Sequence, residues 1–202
     1  MSLSFEPART AFVILDMQND FLHPQGAYGR AGQTSEAIAA LVPHHARLAK
    51  AVRAAGGWIV STHFTLVGGK GGEPFISDHL KKLRPFLGKG DFESGSFGQD
   101  LIAELQPADI KVEKIAFSAF YMSRMEWVLR RAGIERLIFG GIVTNGGVAS
   151  TVRDAHVRDF ETVVLRDGCA AFSEAAHEAA IASLGTISTI ADVGEVLAAF
   201  DR

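Results

Sequence analysis

The sequence predicts a three-layer α/β/α sandwich, Rossmann-like, around a mostly parallel six-stranded sheet. Three observations carry this. Apolar strand-like runs alternate with amphipathic helical runs along the whole chain, which is the pattern of repeated βα units. The first run, Ala11-Phe12-Val13-Ile14-Leu15, is continuously apolar, as in a strand covered on both faces. The stretch Gly140 to Val148 is a Gly-rich turn between an apolar strand and a helix start, an arrangement that gathers backbone N–H groups at one point and suits an anion or oxyanion.

Each element has a local reason. Ala11–Leu15 is the first strand. Pro43 suits the first turn of a helix running to about Ala55, which Gly56-Gly57 stops. Trp58–Thr62 reads as the second strand and Ile110–Glu113 as the third. Met122–Ala132 has helical spacing, with Gly133 as its stop. Leu137–Gly140 is the fourth strand, followed by the amphipathic run Val148–Arg158. Thr162–Leu165 is the fifth strand. Ser173 is the expected N-cap of a helix to Leu184, on which His177 and Ile181 share a face. Ile187–Ile190 is a short sixth strand and Val193–Phe200 a closing helix. Residues 64–100 read as one irregular segment. Its stretch Val67 to Pro74 is too Gly-rich for an element, and the loop is expected to form part of the wall or a lid of the site, because so long a loop in a compact domain usually has a function or moves; the plain alternative is a disordered surface loop.

Bulk properties narrow the function. The 202 residues are 48% hydrophobic, enough for one domain over 1–202 with a large core. A net charge of −3 leaves no basic field for nucleic acid, and no Lys/Arg cluster suggests a membrane surface. No apolar run reaches the roughly 20 residues of a membrane span. The first ten residues lack the apolar core of a signal peptide, so a cytoplasmic protein is expected. The lone Cys169 excludes an intrachain disulfide, and its small neighbours suggest a packed structural thiol.

Candidate chemistry gathers at the strand ends. Asp16 closes the first strand, where an unpaired carboxylate would be costly, and Lys114 closes the third and could offset that cost. The plain alternatives are a turn-capping Asp and a solvated Lys. His63 follows the second strand and could carry a proton. Phe21, Phe120 and Tyr121 are candidate apolar walls. His44 and His45 are adjacent and face different sides of a helix, and His156 and His177 lack ligand-spaced partners, so no metal and no cofactor is expected.

The motifs Asp16-Met17-Gln18-Asn19-Asp20-Phe21, Lys114-Ile115-Ala116-Phe117-Ser118-Ala119-Phe120 and Gly141-Ile142-Val143-Thr144-Asn145 resemble the isochorismatase-like hydrolases, also called cysteine hydrolases. The likeness runs in order over residues 10 to 192. It implies the isochorismatase fold, a general acid/base role for Asp16 and a charge partner in Lys114. It also implies a non-proline cis peptide at Val143-Thr144 and an oxyanion hole from the amides of Thr144 and Gly147. Most such proteins carry T-N-x-C-V, with Cys as nucleophile, and here that place is held by Gly147. Isochorismatases proper, which cleave a vinyl ether by acid chemistry, also have Gly there. They carry a His where this chain has Asn145, and they lack Asn19-Asp20. Zinc-binding relatives have D-x-H after the second strand, where this chain has Phe64-Thr65-Leu66.

Two readings follow. One is a hydrolase without a cysteine nucleophile, acting on a small-molecule substrate through Asp16 and Lys114. The other is a non-catalytic ligand-binding relative of the cysteine amidohydrolases. A homodimer or homotetramer is expected, because relatives commonly assemble so and this chain has many apolar residues.

Overall fold

A computed structural model describes residues 3–200. The six strands are β1 (Thr10–Leu15), β2 (Trp58–Phe64), β3 (Ile110–Lys114), β4 (Arg136–Ile142), β5 (Glu161–Ala170) and β6 (Thr189–Ala191). They form one sheet in the order β3-β2-β1-β4-β5-β6, and every pairing is parallel. The order reverses between β1 and β4, so a crevice opens beyond their carboxyl ends, where ligands of such sheets bind.

Strand β1 shows how the core is divided. Its side chains alternate across the sheet. Ala11, Val13 and Leu15 enter a core with Met125, Leu129, Val148 and Val152; Phe12 and Ile14 enter the opposite core with Leu48, Val52, Leu105 and Val196. All six β1 residues are buried, which is why the run is apolar without alternation.

Differences from the sequence reading have local causes. The helix expected from Met122 begins at Met125, because Met122 sits at φ 48°, left-handed backbone that no right-handed helix admits. Ser123 Oγ instead accepts the Met125 N–H at 3.0 Å. The Pro43 helix spans Leu41–Ala54. The fifth strand extends to Ala170 through an irregularity opposite Phe139 to Gly141. The sixth, expected at 187–190, is Thr189–Ala191. The irregular segment contains a helix, Asp78–Leu83, begun by Ser77 Oγ accepting from Leu80 N at 3.2 Å.

His45, on helix Leu41–Ala54, is fully buried. Its Nε2 donates to the Gly168 carbonyl at 2.7 Å and its Nδ1 has no partner among the described residues. Burial disfavours the imidazolium and pushes the pKa down from the ordinary 6.5 to about 4. The unfolded chain therefore binds the extra proton first, so the stability present above pH 6.5 falls as pH drops through 4. A depression of that size corresponds to roughly 3 kcal/mol. Melting between pH 7.5 and 4 should show a drop in Tm that is smaller in His45→Gln; parallel curves for the two proteins would exclude His45 as the cause.

Candidate active site

Asp16 is the residue immediately beyond β1, with φ 55°. A non-glycine residue in this region is held there by its surroundings and often marks a site. Three contacts hold it. Its N–H reaches the Thr62 carbonyl at 3.3 Å, the Thr62 hydroxyl donates to Oδ1 at 2.6 Å, and Lys114 Nζ donates to Oδ2 at 2.7 Å. Lys114 comes from β3, two strands away, so its side chain crosses the end of β2 to reach the carboxylate. The Lys114 and Asp16 side chains are 2% and 6% exposed, so this is a buried ion pair, unlike the exposed pairs that contribute little. The ammonium also donates to the Ala116 carbonyl at 3.1 Å and lies 5.5 Å from the Phe64 ring centre.

The turn after β4 faces this pair. Gly141, at φ 125°, lies against Leu15, and a Cβ there would meet the Leu15 carbonyl oxygen at 2.1 Å. Only glycine lets β4 pass so close to β1. The chain then makes one wide turn over Thr144–Val148, in which the Gly146 and Val148 amides both donate to the Val143 carbonyl, at 3.0 and 3.2 Å. Such a turn leaves its leading amides without an acceptor inside the helix. The cis peptide expected at Val143-Thr144 is one residue earlier, at Ile142-Val143. A Cβ built on Gly147 would lie 3.4 Å from Asp16 Oδ2 and 3.7 Å from Lys114 Nζ. The missing side chain at 147 would thus point straight at the ion pair.

A cavity of about 310 Å³ opens over these groups. Asp16, Lys114 and Gly147 form its polar end. Phe21 and Val143 line it as well. Other expected residues lie elsewhere. Thr144 is fully buried and its hydroxyl pairs with His177 Nδ1 at 2.9 Å, so its side chain supports the turn. His63 is not among the lining. Its ring bridges the Ser61 hydroxyl at 2.8 Å and the Gln99 carbonyl at 2.9 Å, and burial lowers its pKa. Thr62 reaches Asp16, and along a strand the next side chain points to the opposite face. Phe120 packs in the core against Phe160, with ring centres 5.9 Å apart, and Tyr121 is 55% exposed. Neither lines the cavity; Phe117 from the same segment does.

Sequence reasoning missed most of the apolar wall. Tyr28, Phe64, Phe92 and Phe172 enclose the cavity together with Arg84 and Leu87. Of the irregular segment 64–100, Phe64, Leu80, Leu83, Arg84, Leu87 and Phe92 line the cavity, whereas its Gly-rich stretch Val67 to Pro74 does not. A signal for part of this was present in Asp20, which lies within the first motif. Its buried carboxylate accepts the Ala27 N–H at 2.8 Å and the Phe92 N–H at 2.6 Å, and so anchors the stretches that carry Tyr28 and Phe92. Gln18 acts likewise. It exchanges two hydrogen bonds with the Phe64 backbone, at 2.9 and 2.8 Å, and donates to the Gln99 carbonyl at 2.8 Å.

Among the described residues no group of three or more His, Cys, Asp or Glu is placed to hold a metal ion, and no helix is long and apolar enough to cross a membrane.

Known proteins share this architecture. The sequence model of the isochorismatase domain matches residues 10–194. The ureidoacrylate amidohydrolase RutB of Serratia proteamaculans is 34% identical over 179 residues, covering 82% of this chain and 71% of RutB. A cysteine hydrolase from Pseudomonas syringae pv. phaseolicola superposes with a TM-score of 0.83 at 23% identity, covering 98% of this chain and 95% of its own. An isochorismatase family protein from Desulfovibrio vulgaris gives 0.77 at 26% identity, over 96% and 99% of the two chains. With its all-parallel sheet and its match over residues 10–194, the chain is a hydrolase belonging to the isochorismatase domain family.

Proposed function

We propose that this chain hydrolyses a C–O or C–N bond of a small molecule by acid–base chemistry at Asp16 and Lys114, with water in place of a side-chain nucleophile. The observation that carries this is the geometry at position 147. The family's usual nucleophile would stand where Gly147 stands, beside Asp16 Oδ2 and Lys114 Nζ. Glycine leaves that volume to a water molecule or to the substrate.

The chemistry follows from the pair. For an amide-type bond, the Asp16 carboxylate takes a proton from water as the water oxygen bonds to the carbonyl carbon. The Thr144 and Gly147 amides take up the charge that develops on the carbonyl oxygen. The Asp16 carboxyl then returns the proton to the leaving nitrogen as the C–N bond breaks. For a vinyl ether the order is reversed. The protonated carboxyl gives its proton to the alkene carbon, and water adds to the oxocarbenium carbon as the carboxylate takes one of its protons. The C–O bond of the resulting hemiketal then breaks, the leaving oxygen taking a proton from the Asp16 carboxyl and the hemiketal hydroxyl returning one to it, so that an alcohol and a carbonyl compound are released. Lys114 keeps a positive charge beside Asp16 throughout. Phe21 and Val143 serve as walls. The amidohydrolase RutB, similar over most of this chain, supports the amide-type arm.

The test is a panel of enol ethers, amides and esters offered to the purified protein and to Asp16→Asn. Turnover that vanishes in the variant supports the proposal. Ligand-induced rises in Tm without any turnover would favour a binding protein instead.

The same reading includes a homo-oligomer, because Phe117, Met122, Trp127 and Val157 are each more than two-thirds exposed. Light scattering at micromolar concentrations should give a multiple of the chain mass. A monomer at every concentration rejects the assembly.

A further inference from the structure

The charged side chains that line the cavity are Asp16, Lys114 and Arg84. The first two neutralise each other across 2.7 Å. Arg84 makes no salt bridge among the described residues and leaves the cavity with one uncompensated positive charge.

Arg84 is also held in place. Its Nε donates to the Tyr28 hydroxyl at 3.0 Å and its Nη1 to the Leu83 carbonyl at 2.9 Å. The guanidinium carbon lies 4.9 Å from the centre of the Phe172 ring and 5.8 Å from that of Tyr28, and those two rings are stacked on each other. These contacts remove much of the rotamer freedom a surface arginine would lose on binding. Nη2 makes no hydrogen bond among the described residues. A planar donor group fixed by aromatic rings, half-buried and without an acid, suits a planar acceptor with one negative charge. A carboxylate has that shape and charge. A phosphate monoester at neutral pH carries about −1.5 to −2, more than the cavity balances.

We propose that Arg84 is a specificity residue that binds the carboxylate of a small monoanionic substrate whose apolar body packs against Phe21, Phe92 and Phe172. This rests on the hydrolase reading for the word substrate, but it concerns binding alone. Its test therefore reads binding and not turnover, so each reading can fail without the other.

The probes are benzoate and benzamide, which match in ring and planarity and differ in charge. Their affinities for the full-length wild type, Arg84→Gln and Arg84→Lys are measured by calorimetry at pH 7.5. Benzoate should bind the wild type roughly ten- to a hundredfold more tightly than benzamide, the range for a charge-assisted, two-point hydrogen bond. Arg84→Gln should abolish that preference and leave benzamide binding unchanged. Arg84→Lys should retain a reduced preference, and its melting curve checks that the wall is intact. Undetectable benzoate binding, equal binding of the two probes by the wild type, or a full preference surviving in Arg84→Gln would each overturn the assignment.

Discussion

Asp16→Asn is expected to lower kcat by roughly 10²–10⁴-fold, the usual contribution of a positioned acid or base. Asparagine keeps the shape of Asp16 and can still accept from the Thr62 hydroxyl, now at 2.6 Å from Oδ1, but it cannot take up and return a proton. The substitution also leaves the Lys114 ammonium buried without its acid. Breaking one side of a buried pair costs about 3–5 kcal/mol, which for a chain of this size lowers Tm by roughly 6–20 °C. Lys114→Met should destabilise to a similar extent by stranding the carboxylate. The double variant Asp16→Asn/Lys114→Met removes both charges, so it should regain most of the lost Tm while remaining inactive. That combination separates chemistry from folding. Activity recovered along with Tm in the double variant would show that the single variants had simply unfolded.

Gly147→Cys is expected to create a reactive thiol. Gly147 does not have left-handed backbone, and an added Cβ meets only the Ile142 carbonyl oxygen closely, at 3.1 Å, so the side chain fits with a small local shift. The thiol would sit beside Lys114, at a helix start, with Asp16 placed to take its proton. The natural Cys169 is an internal control. Its Sγ donates to the Phe139 carbonyl at 3.7 Å, and burial pushes its pKa up to about 12. Near neutral pH even an unperturbed thiol at 147, with a pKa of about 8.5, would hold on the order of a thousandfold more thiolate than Cys169. Iodoacetamide followed by peptide mass spectrometry should therefore modify position 147 first and leave the wild type almost untouched. Weak esterase or amidase turnover by the variant would extend the result. Alkylation at 147 no faster than at Cys169 would mean that the acid, the lysine and the turn do not act on that point together.

Much of the fold was legible because its causes are local. The apolar run Ala11–Leu15 follows from burial on both faces of the sheet. Gly133 and Gly56, both with positive φ, end helices where the sequence expects them to. The main local error, the start of the helix at Met125, came from a left-handed Met122 that no residue preference announces. The helix Asp78–Leu83 was overlooked because it lies in a segment dominated by glycine and charge, although Ser77-Asp78 is an ordinary helix start.

For the site, the sequence by itself determined the chemical inventory: an acid and a lysine at strand ends, and a Gly-rich turn that holds Gly147. Those residues are tied to strand ends, and a parallel sheet brings strand ends to one edge whatever the intervening segments do. Tertiary structure alone decided which neighbours complete the site. His63 was excluded from the cavity because strand alternation turned it away from the face on which Thr62 meets Asp16. Phe120 and Tyr121 gave way to Phe117, three positions before Phe120 in one aromatic-rich segment, because the path of that segment is set by its packing. Tyr28, Arg84, Phe92 and Phe172 are distant in sequence and were joined only by the folding of a long segment. Buried acceptors such as Asp20 and Gln18 hold the stretches that carry several of them. Hydrogen bonds across 72 residues, as between Asp20 and Phe92, leave no periodic trace in the sequence, because they depend on where the chain returns and not on its local pattern.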